Sequence, residues 1–305
     1  MPSDRLNPAG RLRGAAALAV VVFFAGGLLL RTWGAGATFQ SGDYASMPYM
    51  VTHWFGLSWI IAHIHGPLLP GMVWLFAKSA TALGIGMNEA LWRLPLGVVG
   101  SLHVPATYLL MRRLRADRPV ALLAAALTAV LPPLTSDARY PWGYETLGVC
   151  LGTLAIWAFL RDLDQPSRGG EWLAGGLLGS YLLSHLVIHA VPMVIVVAVL
   201  ATLGWRRGLR RLLRPSVLAP VAGAVACTAY AWWVLGGGII GRMARHVGRG
   251  TLEPGGSTPL DLALLWVNHL GPIWAGFCGL GVLVGLALIP VSYTHLRAHE
   301  TPEHL

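Results

Sequence analysis

Long apolar runs alternate with short, arginine-rich breaks along nearly the whole chain. The runs at 14–30, 92–111, 119–134, 146–161, 172–187, 189–204, 216–235 and 262–289 approach the ~20 residues a helix needs to cross ~30 Å of hydrocarbon. Backbone polar groups inside a bilayer must pair within their own segment, so these runs predict helices. A further apolar stretch, 67–83, contains Pro67 and Pro70. Only about thirteen uninterrupted residues remain, roughly 20 Å of helix, too short to cross. It is placed as a juxtamembrane or re-entrant helix on the outer face. The predicted fold class is all-α: a polytopic membrane helix bundle with about 8 transmembrane helices and juxtamembrane helices in the first outer loop.

Charge placement gives these runs a direction. Basic clusters stand at Arg5/Arg11/Arg13, Arg112/Arg113/Arg115/Arg118, Arg161/Arg168 and Arg206/Arg207/Arg210/Arg211/Arg214. If all four face the cytoplasm, as positive charge flanking membrane helices does, an even number of spans separates each from the next. That parity holds only if 67–83 does not cross. The opposite side then holds a long loop at 31–91, a short one at 135–145, a turn near His185 to His189, and a Gly-rich loop at 236–261. Asp43, Glu89, Asp137, Glu145, Glu253 and Asp261 fall outside. Asp117, Asp162, Asp164 and Glu171 fall in basic inner turns and read as structural. Trp33, Trp54, Trp59, Trp74, Trp92 and Trp142 gather on the outer side, as interfacial belt residues or sugar-stacking platforms.

Composition agrees with the bilayer as main solvent. Apolar residues make up 55% and charged residues 11%, and the mean hydropathy is +0.61, which excludes a soluble domain of this size. The excess of 22 Lys+Arg over 13 Asp+Glu would suggest nucleic acid in a soluble protein; here most arginines flank apolar runs, and no nucleic-acid partner is expected. Cys150, Cys227 and Cys278 stand singly in apolar segments, which points to neither a disulfide framework nor a thiolate metal site.

After Pro290 the chain turns abruptly polar: VSYTHLRAHETPEHL. Residues 291–301 resemble a translated sequencing-library adaptor. The expectation is therefore a membrane domain over 1–290, continuing in the natural protein beyond Pro290, and a non-native tail over 291–305.

Four local patterns, in order along the chain, carry a family resemblance. His65-Gly66-Pro67-Leu68 looks like an H/K-P-P-L helix start, with Gly66 departing from its first proline. Arg93-Leu94-Pro95 and the following LGVVGSLHVPATYLLMRRLRADR resemble a second span with its basic turn. SDARYPWGYETLG is similar to a second outer loop of the form S-x-x-A-R-x-Y. Asp43 in GDYASMPYM stands where an acid follows the first span. Together they resemble the GT-C glycosyltransferases that use polyprenyl-phosphate sugars, in the protein O-mannosyltransferase, aminoarabinose transferase and Rgt-like branch.

The resemblance implies a bacterial inner-membrane enzyme that moves a sugar from a polyprenyl-phosphate donor to an acceptor glycan, lipid or protein on the extracytoplasmic face. It makes Asp43 the expected catalytic base; the alternative is a cap for a helix starting near Tyr44. Glu145, at the positive end of a helix, would position the acceptor or a metal. Arg139 and Tyr140 would bind donor phosphate, or Arg139 would pair with Asp137 or Glu145. Arg93 would bind substrate or pair with Glu89, and His65 would hydrogen-bond the phosphate. Arg242 and Arg245, with Arg249, would hold the phosphate or lipid headgroups. His63 and His65 lie on different helix faces and do not suggest a metal site; His185 and His189 read as satisfied histidines. No metal ligand set is expected, and a divalent cation stays open as a cofactor. Two other classes compete: a transporter or lipid-linked sugar flippase, and a polysaccharide polymerase or ligase.

Overall fold

A computed structural model describes residues 8–33, 66–86, 88–139, 144–184 and 190–234, all within the first of two units into which the chain divides, Met1–Gly241. Among the described residues every regular element is a helix: α1 (Pro8–Thr32), α2 (Leu68–Ala82), α3 (Glu89–Arg113), α4 (Arg118–Val130), α5 (Pro132–Asp137), α6 (Tyr144–Asp164), α7 (Arg168–Ser184), α8 (Ala190–Leu203), α9 (Trp205–Leu212) and α10 (Pro215–Val234).

Local chemistry sets these boundaries. Asn88 caps α3, its side chain accepting from the Leu91 N–H at 3.0 Å, which satisfies one of the donors a helix start leaves over. Ser167 does the same for α7 through the Gly170 N–H at 3.0 Å. Helix α4 ends at Leu131, where Pro132 disfavours helical backbone in the residue before it. Gly204 separates α8 from α9 with a φ of +72°, a conformation open to glycine at little cost.

The contacts define two ends of the bundle. At one, Arg113 on the last turn of α3 donates to the carbonyls of Leu160 and Arg161 at 3.1 and 3.2 Å and pairs with Asp164 at 2.6 Å. Arg211 of α9 pairs with Asp162 and, at 2.8 Å, with Glu171. Arg214 also pairs with Glu171, which accepts from the Ser216 hydroxyl at 3.1 Å. Thus α3, α6 and α9 finish, and α7 and α10 begin, around one set of charges. Toward the opposite end, Thr32 and Arg31 in the last turn of α1 pack against Gly97 and Gly100 in the first half of α3, and Arg31 reaches the last turn of α4. The basic clusters at 112–118, 161–168 and 206–214 therefore share one end, and α1 starts from that end too.

Between Thr32 and Glu89 the chain thus returns to the end it had reached. Helix α2 packs Leu69, Val73 and Ala77 against Trp92 and Leu96 of α3 and Leu147 of α6, all near the starts of their helices. This agrees with the expectation that 67–83 makes no crossing of its own. Trp92, expected at the surface as a belt or stacking residue, is a core residue instead, because the register that exposes one face of α3 turns this side chain onto α2.

The second core joins α6, α7, α8 and α10 through Ala155, Phe159, Leu178, Tyr181, Ile195, Val199 and Val217. Gly175 and Gly179, one turn apart, let α7 meet the α10 backbone. A Cβ on Gly179 would lie 2.9 Å from the Pro220 carbonyl oxygen, and one on Gly175 would overlap that of Ser216. Small residues at this spacing permit close helix approach where lipid offers no hydrophobic drive to associate.

Among the described residues fewer helices are long enough to cross than the eight expected for the chain. Gly14–Thr32, Ala90–Arg113 and Glu145–Asp164 are long and apolar enough, and the bent pair α9–α10, with an angle of 58°, would make four. Helix α4 has 13 residues, cut short of the expected 134 by the Pro132-Pro133 pair; α7 and α8 have 17 and 14. The run at 262–289 and the tail at 291–305 lie outside the described residues.

Candidate functional site

The end opposite the ion pairs holds the described part of the expected site, and its chemistry starts from a proline pair. Pro132 and Pro133 have no N–H, so the carbonyls of Thr128 and Ala129 cannot receive their usual i+4 bonds. Arg31 supplies the missing donors. Its Nη2 donates to the Thr128 carbonyl at 3.1 Å and its Nη1 to that of Ala129 at 3.0 Å, as well as to Gly27 of its own helix at 3.1 Å. The side chain is 1% exposed, and among the described residues no carboxylate pairs with it. The negative end of the α4 dipole stands where a counterion would. Nε lacks a hydrogen-bond partner and faces Gly100, where a Cβ would come within 2.9 Å. No room is left there for a ligand, so Arg31 is a structural group.

Around it stand the residues that the sequence singled out. Arg139 donates from Nη2 to the Trp33 carbonyl at 2.6 Å, closing the end of α1. Its described contact is thus a backbone oxygen; the side chain of Asp137, one of the two acids considered for it, lies outside the described residues. Ala138 beside it is buried against Gly100. Arg93, one turn into α3, is 6% exposed, next to the buried Trp92. Glu145 stands exposed in the first turn of α6, where the helix dipole favours a carboxylate, two residues before the core residue Leu147. Arg93, Arg139 and Glu145 therefore belong to one end of the bundle, on three different segments. Among the described residues no three His, Cys, Asp or Glu side chains converge as a metal site would require.

Asp43, His65, Tyr140, Arg242 and Arg245 lie outside the described residues, as do His63, His185, His189 and Arg249. The segment next to His65 is informative all the same. Gly66 has a φ of +104°, which proline cannot adopt with its ring-fixed negative φ. The departure from a proline at this position thus changes the approach to α2, which begins two residues later.

Two groups were missed. Arg31 looked like the first residue of a loop, although a glycine one turn before it and two more at 97 and 100 signal a large side chain passing between close helices. His103 is buried within α3, its Nε2 3.1 Å from the Thr153 hydroxyl of α6. Polar pairs of this kind join helices in apolar surroundings; their signal in sequence is a lone His in one apolar run and a mid-run Thr in another.

At the basic end, the reading of Asp162, Asp164 and Glu171 as structural agrees with their ion pairs. Asp117 sits at the α4 N-cap without a side-chain capping bond. Cys150 and Cys227 are free thiols. No family model matches the chain, and no curated protein gives a significant match.

Proposed function

We propose that the chain is a membrane glycosyltransferase of GT-C type, moving a sugar from a polyprenyl-phosphate donor to an acceptor on the extracytoplasmic face of a bacterial inner membrane. The observation that carries the proposal is the common location of Arg93, Arg139 and Glu145. The motifs that resemble the family are spread over about a hundred residues, yet their described polar members lie toward the end away from the arginine clusters. Positive charge prefers the cytoplasmic side, which makes the motif end extracytoplasmic. The full bundle of about eight spans, including 262–289, belongs to this proposal.

In the proposed reaction Asp43 accepts the proton of the acceptor hydroxyl as its oxygen attacks C1 of the sugar, and the bond from C1 to the phosphate oxygen breaks. Arginines near the donor offset the charge that develops on the leaving phosphate. Glu145 orients the acceptor.

The test uses the full-length natural protein in proteoliposomes with radiolabelled polyprenyl-phosphate sugars. Transfer to an acceptor is expected, and Asp43→Asn should lower it by ~10²-fold or more while donor binding stays nearly constant. Movement of the intact lipid-linked sugar without cleavage would instead support a flippase. One observation favours that second reading: the buried His103 and Thr153 pair places an ionisable group inside the bundle, as transport pathways do.

A further inference from the structure

The basic end carries a feature that neither transfer chemistry nor the ion network uses. Helix α9, Trp-Arg-Arg-Gly-Leu-Arg-Arg-Leu, is released from α8 by Gly204 and bends 58° away from α10. It therefore departs from the direction of α10, and the two are at most one bent span. Its roll about its own axis is fixed from two sides. Gly208 is buried against α8, where a Cβ would come within 2.9 Å of the Leu200 side chain and 3.2 Å of the Val199 carbonyl oxygen. Arg211 is held by Asp162 and Glu171.

At ~100° per residue, fixing Gly208 and Arg211 inward decides what the rest of α9 presents. Trp205 and Leu209 form an apolar flank, 69% and 39% exposed, extended by Leu213 at 54%. Arg206, Arg207 and Arg210 form the outer arc; all three are exposed, and none has an acidic partner among the described residues. Beyond Leu213 the exposed apolar surface continues along α10 through Leu218 and Val225.

We propose that α9 is an interfacial helix that binds anionic phospholipid headgroups of the leaflet at the basic end. Trp205, Leu209 and Leu213 sit at the acyl boundary, continuous with the lipid-facing side of α10, and the three arginines reach up to phosphates. The continuous apolar flank selects a bilayer over a soluble polyanion, and the uncompensated arc of positive charge selects anionic over zwitterionic lipid. Each arginine near such a surface strengthens attachment about fivefold.

The test is native mass spectrometry of the full chain purified in detergent micelles doped with phosphatidylglycerol or phosphatidylcholine. Phosphatidylglycerol should be retained tens of times better. The variant R206Q/R207Q/R210Q should lose most of this preference, and R206K/R207K/R210K should keep it. The single variants Arg206→Gln and Arg210→Gln, which leave most of the basic end in place, should each lower retention about fivefold. Equal retention of the two lipids by the parent chain, or single Gln variants that bind phosphatidylglycerol as the parent does, would overturn the proposal.

Discussion

The two ends of this bundle solve the same problem, arginine beside apolar helices, in opposite ways. At the basic end Arg113, Arg211 and Arg214 are matched with Asp164, Asp162 and Glu171 on neighbouring helices. At the other end Arg31 and Arg139 donate to backbone carbonyls of Thr128, Ala129 and Trp33. The first solution consumes every acid it touches and fixes how the helices assemble. The second uses orphaned helix-end oxygens and leaves Glu145 exposed without a described partner. Carboxylates that are not spent on structure are the ones available for chemistry, which is why the second end is the better place to look for it.

The largest effect should come from breaking the acid-matched end. Arg211→Met would take from the buried Asp162 its ion-pair partner and leave Glu171 to Arg214 and Ser216 alone, and should cost about 3 kcal/mol of stability in detergent unfolding. A loss below about 1 kcal/mol would mean the network is solvated and does not organise the helices. At the carbonyl-matched end Arg31→Met should cost less, about 2 kcal/mol, because it strands helix-end carbonyls and no buried carboxylate. Equal losses for the two variants would erase the distinction between the ends.

Gly100→Ala sharpens the comparison further. The added methyl would come 2.6 Å from the Ala138 side chain and 2.9 Å from Arg31 Nε, so about 1–3 kcal/mol should be lost. In an Arg31→Met background the penalty should shrink, a coupling that a double-mutant cycle would read directly. The smallest effect belongs to Asp117→Ala. This N-cap makes no side-chain bond, and its loss should change the melting temperature by no more than about 0.5 kcal/mol would.

What could be read from the sequence divides along the same line. Arginine clusters beside apolar runs give the helix directions because charge placement is a property of the chain alone, and the acids among them could be read as structural for the same reason. Pro67 and Pro70 correctly predicted that α2 is a short helix. The Pro132-Pro133 pair held equally strong information that was not used: it shortens α4 and orphans two carbonyls, but only the approach of α1 turns those carbonyls into the seat of Arg31. Trp92 was assigned to an interfacial belt or stacking role from its position along the chain, although its orientation depends on α2, a neighbour that periodicity does not identify. Arg93, Arg139 and Glu145 were selected from local pattern; that they share one end follows from antiparallel packing. For Asp43, His65, Tyr140, Arg242 and Arg245 the sequence is the whole of the argument.

The central claim is that the two ends face opposite sides of one membrane, with the ion-matched end inside. Reporter fusions test it most directly. A reporter placed after Arg115, at the turn between α3 and α4, should read cytoplasmic, and one placed after Thr38, beyond the end of α1, should read external. An external signal after Arg115 would contradict the account, because the arginine-rich end would then face outward and Glu145 would open toward the cytoplasm.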